Sequence, residues 1–79
     1  MNSPITIREA NEADAPVLRR LAELDSAPPI KGPVLIAEHG GRAVAAVGLE
    51  ERRAIADPFE PTQDVLQLLW GWADEVQAA

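Results

Sequence analysis

The side chains from which a chemical site could be built are few. The chain has one histidine, His39; its serines are Ser3 and Ser26; cysteine and tyrosine do not occur; and 13 residues are aspartate or glutamate. His39 stands directly before Gly40 and Gly41. A metal needs several ligands converging on one point, and no second imidazole or thiolate exists to join it, so His39 reads as an exposed residue beside a turn. Neither serine occupies a strand-to-helix elbow of the kind that presents a nucleophile. Glu38, Glu50 and Glu51 fall near hairpin ends, where a carboxylate could take a proton from an amine. Charged side chains are also ordinary at exposed turns, and these three read as solvated. The reactive residue types therefore assign no catalytic and no metal-ligating group.

What the chain does specify is a succession of elements. ITIRE, residues 5–9, alternates Ile5 and Ile7 with Thr6 and Arg8, the period-2 pattern of a half-buried strand. In NEADAPVLRRLAELDS, Asn11 can cap a helix, Asp14 lies near its positive end, and Pro16 is tolerable because it falls in the first turn. Val17, Leu18, Leu21 and Leu24 then form an apolar stripe. SAPPIKGP, residues 26–33, stops that helix and reads as a rigid connecting loop rather than a proline-rich docking motif.

VLIAEHGGRAVAAVGL predicts two strands turning at Gly40 and Gly41, residues that enter the positive-φ region a tight hairpin demands. In the second arm Val44 and Ala46 are expected on one face and Ala45, Val47 and Leu49 on the other, which suits a central strand covered on both sides. After a charged turn at Glu50 to Arg52, RAIA predicts a fourth strand, ended by Asp57 and Pro58. A last helix starts at a Thr62 cap and runs from Gln63 to Gln77. At about 100° per residue, Val65, Leu69, Trp72 and Val76 share one line, expected to face the core, with Leu66 and Ala73 on its shoulder. Trp70 falls roughly 140° from Val65, towards the polar side. Gly71, inside this helix, costs about 1 kcal/mol relative to alanine.

Seventy-nine residues support one domain with a thin core, and the absence of cysteine leaves oligomerisation as the available source of added stability. The net charge of −6 and the scattered arginines give no positive footprint for phosphates, so nucleic acid and anionic membranes are not expected partners. The longest apolar or glycine run, Ala43 to Leu49, is too short to cross a bilayer, and the opening MNSPITIREA has no secretory-signal pattern; the expected location is the cytoplasm.

The strand and helix of ITIREANEADAPVLRRLAEL, the hairpin VLIAEHGGRAVAAVGL and the ADPF step into a helix resemble the N-terminal half of the GNAT acetyltransferase family. The resemblance spans nearly the whole chain. It implies an α+β fold, an antiparallel four-stranded sheet with two helices in the order β-α-β-β-β-α, forming a single truncated half domain over residues 1–79. In that family acetyl-CoA binds where the fourth and fifth strands splay, its pyrophosphate resting on backbone N–H groups of a glycine-rich loop that opens the next helix. The matching loop here is ADPFEPTQDV, where Pro58 and Pro61 each delete an N–H, Glu60 adds negative charge and glycine is absent. The family's frequent general acid, a tyrosine, has no counterpart, and the chain ends before a fifth strand.

The expectation is therefore a non-catalytic interaction module with no cofactor, self-associating through the fourth-strand edge or a helix shoulder, with Ile55, Leu66 and Trp70 as candidate interface residues. Two alternatives stand beside it: a minimal or dimer-completed acetyl-CoA-dependent N-acetyltransferase, and an accessory subunit or regulator of another protein.

Overall fold

Strand β1, Ile5–Glu9, opens the computed structural model, which describes residues 4–78; Ser3 lies outside them. A 3₁₀ turn over Glu12–Asp14 follows, with Asn11 at its start accepting from the Ala13 N–H while Asp14 accepts from the Asn11 N–H. These reciprocal bonds satisfy donors that a helix start otherwise leaves unpaired. Helix α1 spans Ala15–Leu24 with Pro16 in its first turn. Its C-terminus closes without glycine: Ser26 takes a φ of 51°, the Ser26 N–H donates to Glu23 O, and the Ala27 N–H donates to Ala22 O. That is the bond pattern of a Schellman cap.

Strands β2, Val34–His39, and β3, Arg42–Gly48, pair as the expected hairpin, and Gly40 and Gly41 carry φ values of 62° and 80°. Positive φ at both central residues matches the turn to the strands' right-handed twist. Strand β4, Ala54–Ala56, and helix α2, Gln63–Ala78, complete an antiparallel sheet in the order β1-β2-β3-β4 with one helix on each face. This is the α+β class expected from the sequence, with β2 and β3 central.

Two apolar layers sandwich the sheet. Under α1, Leu21 and Ala22 pack with Val34, Ile36, Ala43, Ala46 and Ile55. Under α2, Val65, Leu69 and Ala73 pack with Leu35, Ala37, Ala45 and Val47. The loop between α1 and β2 contributes more than a connection, because Ile30 is buried among the α1-side residues. Gly48 makes room for it: a Cβ there would stand 2.5 Å from Ile30 Cγ2.

The strict alternation expected in β3 fails at one residue. The register passes from Glu38 opposite Ala43 to Ala37 opposite Ala45, so Val44 is the extra residue of a β-bulge. Val44 accordingly joins Ala45 and Val47 on the α2 side, and Ala43 joins Ala46 on the α1 side.

A second correction concerns α2. Val65, Leu69 and Ala73 are buried and Leu66 and Trp70 pack beside them, whereas Trp72 and Val76, expected in the core, are each 49% exposed. The helix is rolled towards Trp70 by about half the 100° step between residues. Its apolar arc, from Leu68 round to Trp70, is wider than one sheet can cover, so polar anchors decide which part is buried. The Arg52 guanidinium, in the β3–β4 turn, donates to Asp74 at 2.9 Å and to Gln77, and lies 5.0 Å over the Trp70 ring. The Gln77 side chain in turn donates to Leu49 O. These contacts fasten the Trp70 flank of α2 to the β3–β4 turn.

Candidate interaction surface

The segment between β4 and α2 is built around Asp57, whose side chain is 1% exposed. Its N–H extends the ladder by donating to Val44 O. Its Oδ1 accepts from the Phe59 N–H at 2.9 Å, and its carbonyl accepts from the Glu60 N–H at 3.2 Å. Pro58 and Pro61 have no N–H to give. Every backbone donor from Asp57 to Pro61 is thus either missing or already bonded within the chain. Oδ2 has no hydrogen-bond partner among the described residues; its nearest counter-charge is the Arg42 guanidinium, 3.7 Å away. A loop of this construction holds a buried carboxylate and offers no free N–H group of its own from Asp57 to Pro61.

The three residues singled out as interface candidates occupy different places. Ile55 is fully buried beneath α1, so its side chain is closed to a partner. Leu66 and Trp70 are half-buried against the α2-side core, and Arg52 covers the Trp70 face. The β4 edge is also guarded. The strand is three residues long, and the outward Ala56 N–H donates to Asp25 Oδ2 at 3.2 Å. Short length and a side-chain cap both discourage strand addition.

The exposed apolar groups lie elsewhere. Leu68, Trp72 and Val76 are each 49% exposed and recur every four residues, so they make a second apolar stripe on α2. The helix lies over β2 and β3, and its Trp70 flank is tied to the β3–β4 turn, so this second stripe turns towards β1. Ile5 and Ile7, half-buried, pack against the core on the same face of the sheet as α2. Phe59, 82% exposed, stands near the helix start. Sequence periodicity had already collected Trp72 and Val76 on one apolar line; what it could not tell was which part of a wide arc the sheet would take.

On the opposite face β1 is held by charge. The Arg8 guanidinium donates to both Asp14 oxygens at 2.8 Å, and Glu38 lies 3.4 Å away. The two Arg8 bonds, helped by the Asn11 N–H, lower the Asp14 carboxyl from 3.8 to about 2. On the loop side, the Lys31 N–H and then Arg53 hold the Glu51 carboxyl below its usual range. Among the described residues no group of three or more histidine or acidic side chains converges as metal ligands would, and no helix is long and apolar enough to cross a membrane.

Compared with protein-family models, with curated proteins and with solved structures, the chain finds no match.

Proposed function

We propose that this chain is a GNAT-like interaction module that works by contact with a second copy of itself and does not transfer acyl groups. The observation that carries the reading is the second apolar stripe of α2. A helix whose inner stripe is already buried still presents Leu68, Trp72 and Val76, on the face of the sheet where Ile5 and Ile7 are only half-covered. Apolar groups gathered on one flank around a tryptophan are what a protein contact uses, and a thin core gains from the added burial.

The reading against acyl transfer is supported by the Asp57–Pro61 loop. A pyrophosphate would need free N–H groups and a positive helix end; the Asp57–Pro61 segment contributes no free N–H, and Asp57 and Glu60 place negative charge beside that helix end. The sequence also offers no tyrosine to protonate a leaving thiolate. The element order, strand, helix, three antiparallel strands and helix, is the one the family resemblance implies.

Two measurements test the proposal. Light scattering on the purified chain should give twice the mass of one copy at high micromolar concentration. Trp72→Gln should raise the dissociation constant at least tenfold and change monomer stability by less than about 0.5 kcal/mol. A sharply monomeric mass across that range counts against self-association. Titration with acetyl-CoA, followed by tryptophan fluorescence, should show no saturable change up to about 1 mM. Saturation in the micromolar range would favour the N-acetyltransferase reading instead.

A further inference from the structure

We infer that the contact between copies is made by β1, pairing antiparallel with the second copy's β1 about a dyad at Ile7, so that two four-stranded sheets become one of eight. The inference rests on the self-association reading above and names the surface that carries it. Among the described residues strand β1 has β2 on one side only, over the five residues Ile5–Glu9. The Ala10 N–H donates to Val34 O in continuation of that ladder. Because ladder bonds alternate along an antiparallel pair, the N–H and C=O groups of Thr6, Arg8 and Ala10 point at β2, and those of Ile5, Ile7 and Glu9 point away from it. The outward groups form the larger of the sheet's two free edges; the Arg8 guanidinium donates to one of them, Glu9 O, at 3.4 Å, and the outward N–H groups have no side-chain cap among the described residues.

Charge selects the register. With the dyad at Ile7, Ile7 faces its own copy, Ile5 faces Glu9 and Thr6 faces Arg8, so no like charges stand opposite one another. Moving the dyad to Arg8 would set two guanidinium groups against each other. Moving it to Thr6 would pair only Ile5 with Ile7 and leave the outward groups of Glu9 unmatched among the described residues, a shorter ladder. On the α2 face the chosen register joins the two Ile7 side chains. The Leu68–Trp72–Val76 flank of each copy then lines the same seam from opposite sides. On the other face Arg8 remains held by Asp14 and Glu38, and only its long bond to Glu9 O would be shared or given up.

The test reads the outward amides directly. In the dimer the N–H groups of Ile5, Ile7 and Glu9 should exchange with deuterium at least tenfold more slowly than in samples diluted to monomer, while those of Thr6 and Arg8 change little. A synthetic chain N-methylated at Ile7 removes one outward donor and leaves the β2 ladder intact. Its circular dichroism should match the parent, and its dissociation constant should rise at least tenfold. Thr6→Arg, which sets an arginine against Arg8 across the seam but faces Glu38 within its own sheet, should weaken the dimer similarly. A dimer in which the three amides exchange as in the monomer, or which is indifferent to both changes, overturns the β1 pairing while leaving self-association standing. A monomer at every concentration overturns both.

Discussion

Asp14 shows how one residue links the start of the first helix to the first strand. It closes the cap on Asn11 and receives both Arg8 bonds, so its carboxyl is held at about 2 in the folded chain. A group whose folded value lies below its unfolded one stabilises the protein above the unfolded value and loses that contribution as the pH falls through the folded one. The contribution is thus whole above about pH 4 and disappears towards pH 2. Urea unfolding midpoints taken across that interval should decline less steeply in Asp14→Asn than in the parent. Gly71 offers the opposite case. It is exposed inside α2, and a Cβ built there meets nothing within 4 Å. Gly71→Ala should therefore raise the stability of the monomer by about 1 kcal/mol, measured by chemical denaturation.

Among the elements, the loop over residues 26–33 and helix α2 each depart from what their sequences suggested. The prolines and Gly32 identify the loop correctly, but its physical role comes from Ile30, which fills the layer beneath α1 against Gly48. Ile30→Ala should cost about 2–4 kcal/mol, since the site cannot close while Gly48 offers no side chain to fill it. A thermal or urea unfolding curve checks the value. In α2 the helix itself was legible from the Thr62 cap and the apolar spacing, but its rotation was not. Apolar residues occupy more of its circumference than one sheet can bury, and the choice fell to Arg52 and Leu49 O, which bind Asp74 and Gln77 of α2, are distant from the inner stripe in sequence and come close to it only once the sheet has formed. Trp70 and Trp72 consequently exchange the places the periodicity gave them.

For the whole molecule, two thin apolar layers on a four-stranded sheet leave one flank of one layer open, and a second copy is the proposed cover. Association of folded copies stabilises them by mass action, so the unfolding temperature should rise by a few degrees when the concentration goes from about 10 to about 100 µM. Calorimetry at the two concentrations decides it; an unchanged midpoint speaks for a monomer. The amino-acid order alone determined the elements, their sequence along the chain, the glycine hairpin and the two-sided burial of β3, because each follows from local periodicity and backbone freedom. It also determined that the segment from Asp57 to Pro61 is poor in N–H donors, since proline has none. Only the tertiary structure decided that Val44 bulges to the α2 side, that Ile55 is sealed beneath α1 and that Trp72 stays outside. Each of those outcomes depends on which distant groups meet across the sheet, and contacts of that kind leave no periodic trace in a single chain.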